Sequence, residues 1–123
     1  MGGPMVKPPV HRRLTDLEPE VVNPGMVRRL LWGDRVMVGY LEFKRGTVVP
    51  VHEHENEQLT YCISGLMRFT FPDGDRILHP GEVLLIPGGT PHGAEMLEET
   101  VEMDFFSPPR RDWIQKTDDY LRR

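Results

Sequence analysis

A single cysteine, Cys62, stands among 123 residues, so no disulfide can form within the chain, and a lone thiol suits a reducing compartment such as the cytoplasm. No apolar run approaches the ~18 residues of a membrane-spanning helix. Met1-Gly2-Gly3-Pro4 leads into no apolar stretch, which reads as no signal peptide, and Val6 stands where a myristoylation signal has Ser or Thr. Positive charge is not in excess: 15 Lys and Arg against 19 Asp and Glu give a net −4, which offers no attraction to nucleic acid or an anionic membrane. Gly-rich phosphate loops, nucleophile elbows and paired-cysteine zinc motifs are all missing. What remains is one domain's worth of chain, 38% hydrophobic and 28% charged, enough to bury one modest core.

Glycine and proline are plentiful, twelve of each. Punctuation that frequent divides the chain into short elements and predicts an all-β fold. Residues 1–25 hold Pro4, Pro8, Pro9, Pro19 and Pro24 and read as an extended arm lying on the domain or on a partner subunit. Strand-like runs then follow at 26–32, 35–43, 47–54, 58–64, 66–71, 76–79, 82–86, 90–96 and 100–106, with turn residues between them. Gly33-Asp34 reads as a hairpin turn. Short strands broken every eight to twelve residues describe a sandwich or barrel, here 26–107. Pro108-Pro109 ends the series, and Trp113, Ile114, Thr117, Tyr120 and Leu121 space a tail, 108–123, as a short helix packed on the barrel, or as a lid or dimer contact.

The chemistry gathers in two stretches. In Gly46-Thr-Val-Val-Pro-Val-His52-Glu-His54-Glu-Asn-Glu-Gln58, the two imidazoles are two residues apart, which on a strand puts both on one face. Two buried imidazoles each need a hydrogen-bond partner, and one metal ion satisfies both. A third lies in Gly81-Glu-Val-Leu-Leu-Ile-Pro87-Gly-Gly89-Thr-Pro-His92, where the Pro-Gly turn can return the ring to the same cavity.

These stretches resemble the two motifs of the cupin superfamily. Gly46, His52, His54 and Gly65 match the first, with Gln58 where the family has Glu; Gly81, Pro87, Gly89 and His92 match the second, with Met96 where the family has Asn. The resemblance implies a double-stranded β-helix, or jelly-roll barrel, holding one divalent transition metal ion (nickel, zinc, iron, manganese or copper) through His52, His54, Gln58 and His92. Glu57 is the rival to Gln58, although the six residues between Gln58 and Gly65 fit the motif better. Glu53, Glu55 and Glu57 otherwise read as a solvated acidic loop. A neutral amide in place of a carboxylate leaves the cation its full charge, which favours anionic ligands and polarisation over oxygen activation.

Residues 97–112 and 25–32 are also similar to the small pectin-degradation cupins of the KdgF type, which carry Gln at the position of Gln58. That likeness implies a cytoplasmic, often dimeric isomerase that linearises 4,5-unsaturated uronates from pectin or alginate, with Asp104, Phe106 and Arg110 needed for activity. The residues themselves agree in part. Asp104 and Phe106 share a strand face; Asp104 suits proton transfer, Arg110 a bidentate grip on a carboxylate, and Phe106 a flat wall for a sugar ring. The plainer alternatives are a surface salt bridge for Asp104, the core for Phe106 and the exterior for Arg110. The rival functions are a dioxygenase-like oxidoreductase and a non-catalytic binding module. His11 and His79 read as exposed, Cys62 as an inert buried thiol, and Tyr40, Thr60 and Arg68 as residues that strand parity alone does not assign to a face.

Overall fold

The computed structural model describes residues 6–122. After a 3₁₀ turn at Leu14–Asp16 come β1 (Glu20–Asn23), β2 (Met26–Trp32), β3 (Met37–Phe43), β4 (Val48–His52), β5 (Glu57–Ser64), β6 (Met67–Phe71), β7 (Gly74–Leu78), β8 (Val83–Ile86), β9 (His92–Met96) and β10 (Thr100–Ser107). A five-residue helix, α1 (Arg111–Gln115), and a 3₁₀ turn at Asp119–Leu121 complete the described chain. The strands form an antiparallel six-stranded sheet, β1-β2-β3-β10-β5-β8, and a four-stranded one, β4-β9-β6-β7. This is the all-β jelly roll that the sequence predicts. No helix among the described residues is long and apolar enough to cross a membrane.

Period-two alternation decides what each sheet turns inward. From β3 come Met37, Leu41 and Phe43, from β6 Met67 and Phe69, and from β9 Ala94 and Met96; with Met26 and Cys62 they form the buried apolar cluster between the sheets. β5 and β10 alternate just as strictly, but their inward residues are mostly polar: Gln58 and Thr60 on β5, Glu102 and Asp104 on β10. Register sets Asp104 opposite Thr60 and Phe106 opposite Gln58. A polar floor is thus built into the six-stranded sheet.

Several boundaries differ from the sequence reading, β4 ending at His52 and β7 starting at Gly74 among them. Within the extended arm, Glu20–Asn23 pairs with β2 as the outermost strand. Residues 33–36 form a longer hairpin loop, closed by the Gly33 N–H donating to the Val36 carbonyl at 2.9 Å, so β3 starts at Met37. The tail is two short pieces, because Lys116 takes a left-handed conformation (φ 58°) that ends α1. Residues 1–5 of the arm and Arg123 lie outside the described residues.

Candidate metal centre

His52 closes β4 and His92 opens β9, and the two are direct register partners. His54 lies beyond the end of β4, so strand parity does not place it; the turn that follows does. The Gly89 N–H donates to the His54 carbonyl at 2.8 Å. A Cβ on Gly88 would stand 2.3 Å from the Glu55 carbonyl oxygen, so only glycine lets the two loops touch there. The Pro87-Gly88-Gly89 turn therefore fixes the backbone of His54 while leading into His92. The ring centroids stand 5.5 Å (His52–His54), 4.4 Å (His52–His92) and 5.1 Å (His54–His92) apart, and one ligating nitrogen from each falls within 4.8 Å of the others.

Every imidazole is oriented from behind. Nδ1 of His52 meets the Pro50 carbonyl at 2.9 Å, Nδ1 of His54 the Asn56 carbonyl at 3.0 Å, and Nδ1 of His92 the Thr90 carbonyl at 2.7 Å. A carbonyl only accepts, so a proton on Nδ1 satisfies it and leaves the Nε2 lone pair of each neutral ring facing inward, free to ligate. Nε2 of His92 is buried with no partner at all. Burial, the largest influence, opposed by those carbonyls, pushes the pKa of His52 and of His54 down to about 4 and lowers that of His92, with the Arg110 charge acting the same way. At neutral pH three uncharged lone-pair donors converge, which is the donor set a divalent cation takes.

Gln58 joins them from the floor. Its Nε2 donates to Thr60 Oγ1 at 2.8 Å and to Asp104 Oδ1 at 3.3 Å, which leaves Oε1 facing His54 Nε2 at 3.1 Å. Two acceptors held that close want a cation beside them, and this orphaned geometry fits a metal. Glu57 turns outward and is exposed.

Around the donors lies one cavity, lined by His52, Gln58, His92, Asp104, Phe106 and Arg110 among others. Asp104 is buried rather than paired at the surface; it accepts from Thr60 Oγ1 at 2.5 Å, and burial raises its pKa. Arg110 is buried rather than exterior, gripped by Asp112 through Nε (2.9 Å) and Nη2 (2.7 Å) and donating from Nη2 to the Tyr120 hydroxyl at 2.8 Å. Asn56 Nδ2 donates to the Pro108 carbonyl at 2.6 Å, tying the loop after His54 to the start of the tail that carries Arg110. Phe106 belongs to the core and also meets His54 edge-on, with centroids 5.7 Å apart. Of the three residues left open by parity, Thr60 turns inward, whereas Tyr40 and Arg68 do not line the cavity. His11 and His79 are exposed and far from the cluster, and burial raises the pKa of the Cys62 thiol.

Two cavity residues escaped the sequence reading. Glu102 shares the inward face of β10 with Asp104, so the parity that singled out Asp104 and Phe106 also reached it. Burial pushes its carboxyl well above the usual carboxylate range, the Asp104 charge adds to the effect, and its Oε2 has no partner. Tyr120 stacks on His52 with centroids 4.5 Å apart and planes 27° from parallel. Helical spacing pointed to Tyr120 as an apolar contact, not as a cavity residue.

Comparison with known proteins agrees with this geometry. The sequence profile of the family described as "Cupin domain" matches residues 39–107. KdgF from Halomonas sp. superposes with a TM-score of 0.75 at 31% identity, covering 80% of this chain and 94% of that one. An RmlC-like cupin from Shewanella frigidimarina gives 0.76 at 26%, covering 80% and 90%. The polyketide cyclase RemF from Streptomyces resistomycificus gives 0.70 at 28%, covering 85% and 80%. A mannose-1-phosphate guanylyltransferase from Sinorhizobium fredii is 33% identical over 82 residues, 65% of this chain but only 16% of that protein's length. The histidine cluster, the jelly roll around it and these matches place the chain in the cupin family, as a small cupin similar to KdgF over most of its length.

Proposed function

We propose that the chain is a metal-dependent isomerase that opens the ring of a 4,5-unsaturated uronate, such as pectin or alginate lyases release, to its open-chain keto form. The observation that carries this reading is the company the imidazoles keep. His52, His92 and Gln58 line one cavity with a buried acid, a buried guanidinium and an aromatic wall, and His54 beside them completes a neutral donor set. A divalent transition metal bound there would supply Lewis-acid polarisation of ligand oxygens. Arg110 binds the ligand carboxylate by exchanging its present partners for it. Phe106 bounds the sugar ring. Ring opening of this kind is an isomerisation: one proton leaves a hemiacetal hydroxyl, one reaches C4, and no co-substrate is consumed. Asp104 is the group placed to carry that proton, with Glu102 beside it and Thr60 holding its Oδ1.

The test couples elemental analysis of the purified protein to loss of ultraviolet absorbance from the conjugated double bond of unsaturated galacturonate. Metal bound together with turnover supports the reading. Metal bound with oxygen consumption would select an oxidoreductase, and saturable uronate binding without turnover a binding module.

The same reading includes a homodimer in the cytoplasm. On β5 the usual polarity is inverted, with Gln58 and Thr60 turned inward and Leu59, Tyr61 and Ile63 turned outward. Register sets Leu59 beside Leu85 and Phe105, and Tyr61 beside Val83, so the outer face of the sheet edge is one apolar patch. An outer sheet face facing water alternates to polar residues; this one is built to be covered, and a second copy brings a matching patch by two-fold symmetry.

A further inference from the structure

The cavity that holds the imidazoles is nearly filled. About 40 Å³ of free space remains inside it, room for about three waters and far below the roughly 300 Å³ at which small-molecule pockets begin. Tyr120 is a large part of the reason. Its ring lies on His52, and its hydroxyl takes the Arg110 Nη2 proton that a ligand carboxylate would claim. This residue belongs to the tail, past residue 107 where the match to the cupin profile ends, so it is an addition to the shared barrel.

The tail is fastened by charge rather than by length. Asp118, fully buried, binds Arg28 Nη1 at 2.8 Å and Arg122 Nε at 2.9 Å. Glu20 on β1 binds Arg28 Nη2 at 2.9 Å and Arg122 Nη2 at 2.7 Å. Asn23 Nδ2 donates to the Leu121 carbonyl at 2.8 Å, and Leu121 itself is buried in the core. The fastening begins just past Lys116, whose left-handed backbone (φ 58°) is unfavourable for a residue with a Cβ and marks where the tail changes direction. Arg122 and Glu20 still meet water, so this half of the latch is the weaker one.

We propose that Tyr120 is the specificity-determining residue of this site: it occupies the ligand's place over His52 and Arg110, and the latched tail lets a small carboxylic acid the size of one sugar unit displace it while excluding an acid joined to a second sugar. The inference deepens the uronate reading and rests on it for the ligand class. A ligand displaces Tyr120 only through its stronger hold on Arg110 and the metal-side donors, because a group with equal affinity for both arrangements shifts neither. Trp113 and Leu121 line the cavity beside Tyr120, and Asp118 and Arg122 on either side of Leu121 are held by ion pairs, so a ligand extended past Tyr120 by a second sugar meets a tail that is fixed.

The test uses full-length zinc-loaded protein and three variants, Tyr120→Ala, Tyr120→Phe and Arg122→Ala. The first readout is the rate at which dipicolinate strips the zinc. Removal of the ring in Tyr120→Ala and loosening of the latch in Arg122→Ala should each speed stripping, the former about tenfold, while Tyr120→Phe, which keeps the stack, should stay near wild type. The second readout is calorimetric affinity for galacturonate against digalacturonate. Wild type should favour the monomer, Tyr120→Ala should narrow the ratio about tenfold, and Arg122→Ala should narrow it by less. Unchanged stripping and unchanged ratio in both of these variants overturn the role of Tyr120, even if unsaturated galacturonate is turned over. Faster stripping in a protein that neither binds galacturonate nor turns over its unsaturated form keeps Tyr120 as a cover over the metal-side donors, and overturns the uronate reading together with the discrimination between one sugar and two. Arg122 lies outside the cavity, so its variant serves should Tyr120→Ala fail to fold.

Discussion

Nε2 of His54 and Oε1 of Gln58 face each other at 3.1 Å, and a neutral imidazole has one proton to offer either Gln58 or the Asn56 carbonyl. With that proton on Nδ1 and the Gln58 amide hydrogens on Thr60 and Asp104, the arrangement that ligation through Nε2 and Oε1 requires, two lone pairs meet. Two lone pairs so placed repel unless a cation shares them, so the arrangement stores a preference for metal in the backbone of two loops and one strand.

Metal should therefore stabilise the fold as well as arm it. At a free metal concentration 100 times its Kd the gain is about 2.7 kcal/mol, or on the order of 10 °C in Tm for a domain of this size. Thermal melts with and without a chelator check this. His92→Ala and His52→Ala should abolish the difference, and Gln58→Ala should reduce it. A chelator-insensitive Tm in a metal-containing sample would remove the metal from this site.

Protons should compete with the metal and also act without it. The folded-state pKa values of His52 and His54 lie at about 4, below the ordinary 6.5. Between those values the unfolded chain binds more protons than the folded one, so stability rises with pH across the window. The contribution is fully present above about 6.5 and is lost as pH falls through about 4. Urea midpoints of metal-free protein should fall between pH 7 and pH 5, and His52→Gln with His54→Gln should flatten that slope. With metal bound the fall should be steeper, because each ring protonated is a ligand lost.

How far the site was legible in the sequence depends on which force places each residue. The inward polar face of β5 and β10 follows from period two, and the motif spacings place His92 opposite His52. His54 was found for the wrong local reason: it sits past the strand, and the contact between Gly88-Gly89 and the 53–56 loop orients it. A contact between loops about thirty residues apart has no periodicity to betray it. Tyr120 reaches the cavity because Asp118 pairs with Arg28, ninety residues away, a tertiary ion pair that no local window contains. The apolar outer face of β5 was in plain sight as Leu59, Tyr61 and Ile63, but which face holds the cavity had to be known before that pattern could be read as inverted.

The buried acids should act in opposite directions on turnover and stability. Asp104→Asn removes the proposed proton carrier and should lower turnover by about 10²- to 10⁴-fold while leaving metal content unchanged; undiminished turnover would discard that role. Glu102→Gln keeps the shape but removes the buried ionisable group. The folded pKa of Glu102 is raised by burial, so its contribution to stability is present below the unfolded carboxylate value and is lost as pH rises through the folded one. Glu102→Gln should match wild type near pH 4 and exceed it in stability at pH 8, because only wild type has a buried acid whose proton affinity the fold raises. A less stable variant at pH 8 would mean that the carboxylate is paired there.

The outer face of β5 and β8 yields the last prediction. Leu85 is exposed, sits on the free edge strand of the sheet, and pairs in register with Leu59, which itself pairs with Phe105. Left in water, an uncovered β8 edge beside such a face would invite uncontrolled strand pairing; covered by a symmetric copy, it becomes a closed interface. Leu85→Glu puts two like charges at the centre of that interface and touches nothing inside the barrel. Sedimentation should show wild type as a dimer and Leu85→Glu as a monomer, with metal content unchanged, because His52, His54, Gln58 and His92 all face the other way. A monomeric wild type would mean that this face is covered by some other partner, or that its apolar residues serve the packing of β8 alone.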